Sequence, residues 1–210
     1  MPVIKRYCPI VIYVPWCTET DNTPVDLARD RKTGIYIGSL EGFKNAAELV
    51  KAIPLILENT ETEKFTVVGP GEYADDIKRL VKIYGSRLVY IESVSRIEAM
   101  QMLRTSGYGY TPVIDCGLGF IGDCWGTGTP LISTHELEGF LRKDADTLVV
   151  EGICDLPRTI NSLLNSDDLF ERMQRGGRDR YMSNYTAQSV GEEYLKVIRE
   201  VVDSRLKAKR

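Results

Sequence analysis

The sequence predicts an α/β fold: a doubly wound parallel sheet followed by a terminal group of helices. Three observations carry this expectation. Short runs rich in Val, Ile and Tyr alternate with longer amphipathic stretches, and two of those runs, Gly34–Ile37 and Phe65–Val68, are followed by glycine. After Val150 the strand-like runs stop, while helical periodicity continues to the C-terminus. Strands that alternate with helices favour parallel pairing with helices on both faces. Right-handed crossovers then align the strand C-termini along one edge, and ligands bind along that edge.

Taken in order, the first apolar run is Ile10–Val14, followed by Cys-Thr-Glu-Thr-Asp-Asn-Thr-Pro, which is loop chemistry. Strands are expected at Gly34–Ile37, Phe65–Val68, Leu88–Ile91, Pro112–Ile114, Leu131–Ser133 and Leu148–Val150. Ala46, Leu49, Val50, Ile53 and Leu57 recur at helical spacing, although Pro54 should kink or end that helix. Ile77, Leu80, Val81 and Tyr84 form a second stripe, and Ile97, Met100 and Leu103 a third. Three closing helices are expected over Asp155–Leu164, Asp167–Met182 and Ala187–Leu206, with Asp155 and Asp167 as N-caps. The division expected is 1–33 as an extension or linker strand and 34–210 as one domain.

Composition narrows the function. The balance of 27 basic against 30 acidic residues, net −3, argues against a general nucleic-acid binder. No run of 18 apolar residues is present, so no transmembrane segment is expected, and the N-terminal Met-Pro-Val-Ile-Lys-Arg is too polar for a signal peptide. A cytoplasmic location is the expectation. Five cysteines at irregular spacing, Cys8, Cys17, Cys116, Cys124 and Cys154, do not suggest a disulfide framework. With His135 the sole histidine and no C-x-x-C pair, no structural zinc site is expected.

The densest chemistry lies in Asp115-Cys-Gly-Leu-Gly-Phe-Ile-Gly-Asp123, closed by Gly128-Thr-Pro130. A glycine loop opening onto a helix N-terminus attracts anions, and fixed carboxylates accept hydrogen bonds from hydroxyls. A ligand that carries both phosphate and polyol matches this pattern, and a sugar nucleotide is one. An N-cap at Asp115 and a solvated Asp123 are the plain structural alternative. Upstream, Gly38 and Gly42 permit a tight turn, and Lys44 stands at a helix start where its ammonium could meet a diphosphate.

The order of these pieces resembles the C-terminal, donor-binding domain of GT-B retaining glycosyltransferases of group 1 (family 4-like). The resemblance runs from Gly34 to about Leu195. Its parts are Ile35-Tyr-Ile-Gly-Ser-Leu-Glu-Gly-Phe-Lys-Asn45, Phe65-Thr-Val-Val-Gly-Pro-Gly71, Leu88-Val-Tyr-Ile-Glu-Ser-Val-Ser95 with Glu98, and Asp115 to Pro130 in place of E-x7-E. Phe170, Met173, Gly176 and Tyr194 fit the terminal helices.

The resemblance implies a Rossmann-like GT-B half-domain that binds a UDP-, GDP- or ADP-sugar, with no cofactor and no obligatory metal. It places Gly38, Ser39 and Lys44 on the diphosphate, and Val94 and Ser95 at the nucleobase. Backbone at Gly117, Leu118 and Gly119 would cover phosphate and sugar. Asp115 and Asp123 would form the catalytic pair, Asp115 facing the sugar and Asp123 the ribose. The acceptor stays open, and a partner chain supplying an N-terminal domain, or a homo-oligomer, is implied because GT-B catalysis uses a cleft between two domains.

The sequence also departs from the pattern. Both glutamates are aspartates, shorter by about 1.5 Å. Ser39 stands where the family has an arginine, and the glycines after Asp115 are shifted by one place. These departures support an alternative, a non-catalytic nucleotide-binding or assembly module derived from such an enzyme. A sugar-nucleotide epimerase would need acidic and histidine groups that the sequence does not supply.

Overall fold

The computed structural model describes residues 29–112, 118–136 and 140–208. A six-stranded sheet runs through it, in the order β3-β2-β1-β4-β5-β6. The strands are β1 (Asp30–Ile37), β2 (Lys64–Val68), β3 (Leu88–Ile91), β4 (Ser106–Thr111), β5 (Leu131–Ser133) and β6 (Leu148–Val149). Every pairing is parallel. The order reverses between β1 and β4, which opens a crevice at their C-terminal ends.

Helices α1 (Ala46–Asn59), α2 (Ala74–Tyr84), α3 (Arg96–Thr105) and α4 (Leu118–Thr127) connect successive strands from β1 to β5. Then come α5 (Leu156–Leu164), α6 (Asp167–Asn184) and α7 (Ala187–Ala208). This is the doubly wound, Rossmann-like parallel fold that the alternation predicts. No described helix is long and apolar enough to cross a membrane.

Strand periodicity sorts side chains between two cores. Tyr36, Phe65, Val67, Tyr108 and Tyr110 pack with Leu49, Ile53, Ile56 and Ile160 on one face. Ile35 and Leu131 pack with Leu103, Ile121, Trp125 and Tyr181 on the other. Alternate residues of a strand point to opposite faces, so Ile35 and Tyr36 serve different cores.

Several expectations need correction. The run Ile10–Val14 lies outside the described residues. The first strand of the sheet begins at Asp30, not at Gly34. The strand expected at Pro112–Ile114 is instead β4 at Ser106–Thr111, and Val113 and Ile114 lie outside the described residues. Its alternating Gly and Tyr hide it, because glycine disfavours strands. The structure supplies the reason for one of them: a Cβ on Gly109 would stand 2.6 Å from Cys124 Sγ. Only a bare backbone lets α4 pack so closely on that side.

Pro54 neither ends nor divides α1, which continues to Asn59. A proline there leaves one carbonyl of the preceding turn without its helical donor. Burial of Ile53, Ile56 and Leu57 around it holds the helix together. The caps also move. Ser166, not Asp167, caps α6 by accepting from Leu169 N, while Asp167 pairs with Arg31. Asp155 makes no side-chain cap and pairs with Arg158 instead (3.1 Å).

Candidate functional site

The site grows out of the crevice between β1 and β4. After Ile37 the chain leaves the sheet and is held to the loop after β2: Gly38 N donates to the Val68 carbonyl (2.9 Å), and Leu40 N to the Pro70 carbonyl (2.7 Å). The approach is close. A Cβ on Gly69, where φ is +142°, would stand 1.9 Å from the Gly38 carbonyl oxygen. A 3₁₀ turn at Gly42–Lys44 follows, then Asn45 at φ 55°, ψ 35°, then α1. Asn is one of the few non-glycine residues that tolerates this left-handed conformation.

Two adjoining cavities result, and both are bordered by Ile37 and Gly38. The first, of about 200 Å³, is lined by Ser39 and Lys44 from the β1 loop, Thr111 from the end of β4, and Gly119 and Phe120 from the first turn of α4. Lys44 therefore shares one cavity with the opening turn of a helix, an arrangement suited to an anion. A Cβ on Gly119 would meet nothing within 4 Å, so that turn is open to an incoming group. The second cavity, of about 410 Å³, has an apolar floor of Val68, Pro70 and Ala99 and a rim of Val94, Ser95 and Arg96. Ser95 caps α3 through a capping box with Glu98 (Glu98 N to Ser95 Oγ, 3.3 Å; Ser95 N to Glu98 Oε2, 2.8 Å).

Of the residues singled out from sequence, the structure thus brings Gly38, Ser39, Lys44 and Gly119 to the first cavity. It brings Gly38, Val94 and Ser95 to the second. Leu118 opens α4. Asp115, Gly117 and Cys116 lie outside the described residues.

Asp123 sits on α4, 7% exposed, and both its oxygens are taken by Arg96. The Nη2–Oδ1 distance is 2.6 Å, and Nη1 donates to Oδ2. Burial raises the Asp123 pKa above the ordinary value, and the Arg96 contacts offset only part of that rise. The reading of a solvated surface aspartate is therefore set aside. Burial likewise raises the Cys124 thiol well above its usual range, so it behaves as a small apolar group.

Sequence reasoning missed a second polar assembly. Glu48 of α1 accepts from Thr134 at Oε1, and its Oε2 lies 3.0 Å from His135 Nε2. Asn45 Nδ2 donates to Glu48 Oε2 (3.0 Å) and to the Pro112 carbonyl (3.0 Å). Tyr110 OH reaches Thr134 Oγ1 at 3.3 Å. The assembly ties the residue after Lys44 to the ends of β4 and β5. Burial works to raise the Glu48 pKa, but the bonds from Thr134, His135 and Asn45 together outweigh it and lower the value. No local signal announces this group, since Glu48 and His135 lie far apart in sequence. Among the described residues no three His, Cys, Asp or Glu side chains gather to hold a metal.

With this geometry in view, comparison with known proteins is informative about the fold. No protein-family model matches the chain. No curated protein matches it significantly either. Solved structures do. The chain is similar to S. aureus TarM, at 16% identity and a TM-score of 0.71, over 86% of this chain and 37% of TarM. It is similar to the C-terminal domain of a glycosyl transferase group 1 family protein, LpcC, from Francisella tularensis, at 14% identity and a TM-score of 0.64. That match covers 77% of this chain and 89% of the domain. It is also similar to sucrose-phosphate synthase from Thermosynechococcus elongatus, at 18% identity and a TM-score of 0.67, over 87% of this chain and 47% of the enzyme.

The fold is thus that of one half of a GT-B glycosyltransferase. The chain spans under half the length of TarM and of the synthase, but most of the isolated LpcC domain.

Proposed function

We propose that the chain is the donor-binding half of a glycosyltransferase and binds a nucleotide-diphospho-sugar in the crevice between β1 and β4. One observation carries the reading: Lys44 and the open first turn of α4 line the same cavity at the topological switch point. The diphosphate lies there and the nucleoside extends into the adjoining cavity beside Val94 and Ser95. Transfer breaks the bond between the anomeric carbon and the diphosphate, with retention at that carbon. Lys44 and the α4 dipole take up the negative charge left on the nucleoside diphosphate. The reading assigns no step to a metal.

Asp115 faces the donor sugar in this scheme. A second domain or partner chain supplies the acceptor site. Tyr194, Leu195, Ile198 and Val202 on α7 are 49–55% exposed among the described residues, which supports a contact face there. UDP appears with TarM in one of the similar structures, which makes UDP-sugars the first donors to test.

The test is calorimetry with UDP-, GDP- and ADP-glucose. Lys44→Ala should weaken the donor that binds by at least about 1 kcal/mol, roughly fivefold. Unchanged affinity would sink the assignment. A second reading, a nucleotide-binding module without catalysis, is favoured by Ser39 and by the Arg96 contacts on Asp123. Donor hydrolysis by the purified chain would count against it.

A further inference from the structure

The second cavity presents a cation where the family resemblance places an acid. Arg96 is the first residue of α3. Its guanidinium crosses to α4 and holds both oxygens of Asp123. Its side chain is 50% exposed and lines the cavity, whereas the Asp123 side chain keeps 10% and lines neither cavity. Among the described residues, the charged ones that line the two cavities are Lys44 and Arg96, one in each.

We infer that Arg96 contacts the nucleoside end of the ligand, and that Asp123 is the buried counter-ion that positions it. The inference rests on the nucleotide reading above and changes the chemistry of recognition within it. A carboxylate accepts hydrogen bonds from a ribose diol. A guanidinium donates to acceptor oxygens, on a ribose hydroxyl or a pyrimidine carbonyl. The bidentate pair fixes the plane of the fork, so Arg96 is preorganised at the rim before any ligand arrives. It also supplies a cation to a groove whose first loop carries Ser39.

The experiment is calorimetry on the full chain at one ionic strength, with UDP and with inorganic pyrophosphate as probes. Arg96→Gln should weaken UDP at least fivefold and leave pyrophosphate within twofold, since the pyrophosphate subsite lies at Lys44. Asp123→Asn should weaken UDP as well, because the arginine loses its anchor. Adding Asp123→Asn to Arg96→Gln should change UDP affinity less than twofold further, because Asp123 acts through Arg96. The double variant also avoids leaving a buried carboxylate unpaired, and its melting curve reports that it folds. Arg96→Lys keeps the charge without the fork and should recover part of the loss.

UDP affinity that is unchanged or tighter in Arg96→Gln would overturn the inference, making Arg96 an occupant of the ribose position. Weakening by Asp123→Asn that persists in full on the Arg96→Gln background would overturn it too, as direct contact by the acid. If the unaltered chain binds pyrophosphate but no nucleotide, the nucleotide reading itself falls, and this inference with it.

Discussion

Gly176 lies inside α6, where alanine would ordinarily stabilise a helix by about 1 kcal/mol. The structure reverses that sign. A Cβ at Gly176 would stand 1.7 Å from the Ala145 carbonyl oxygen and 2.9 Å from its carbon. An ordinary C···O contact is about 3.3 Å or longer, so one backbone must retreat by about 1.5 Å. The neighbour cannot give easily. Asp146 beside it is fully buried and accepts from Arg142 N (3.0 Å) and Nε (2.8 Å), while its carbonyl accepts from Trp125 Nε1 (3.0 Å).

Overpacking costs about 1–3 kcal/mol, and a clash with backbone belongs at the upper end. After the helix-propensity gain, Gly176→Ala should lose about 2 kcal/mol, or about 4–8 °C in Tm for a chain of this size. Gly191 in α7 is the control: a Cβ there meets nothing within 4 Å. Gly191→Ala should gain about 0.5–1 kcal/mol. Thermal melts followed by circular dichroism, with urea titrations beside them, measure both. A Gly176→Ala chain that melts at or above the wild type would refute the packing argument.

Arg29 donates to the carbonyls of Leu103 (2.7 Å), Ser106 (3.1 Å) and Thr127, and so ties the start of β1 to the Gly-Thr-Pro turn. Burial lowers its pKa to about 10, so the guanidinium gives back part of what those bonds contribute. Arg29→Met should therefore destabilise by about 1–3 kcal/mol in urea titration, and no change would refute the anchoring role. Glu48 titrates below its ordinary value of 4.5 in the folded state. Around that value the unfolded chain binds more protons, so this group's stabilisation is present above it and is lost as pH falls through the folded value. Melting temperatures taken across the acid range should fall more steeply for wild type than for Glu48→Gln, and parallel curves would remove the assigned contribution.

Much of this protein was legible in the sequence, because its determinants are local. Apolar runs that end in glycine place β1 and β2, a short apolar run places β5, and helical stripes place α1 to α3, since period and turn chemistry depend on near neighbours. The family resemblance placed Gly38, Ser39, Lys44, Val94, Ser95 and Gly119 on one ligand path, and the structure lines two adjoining cavities with them. What tertiary structure decided was which charges meet. Arg96 and Asp123 come from helices on either side of β4, and Glu48 and His135 from α1 and the end of β5. Their pairing depends on sheet order and on how closely helices pack, which for α4 depends on the bare backbone of Gly109. The run from Asp115 to Asp123 marks the proposed anion site in the sequence. Burial against Arg96 is what turns its second acid from a free acceptor into the counter-ion of a cation.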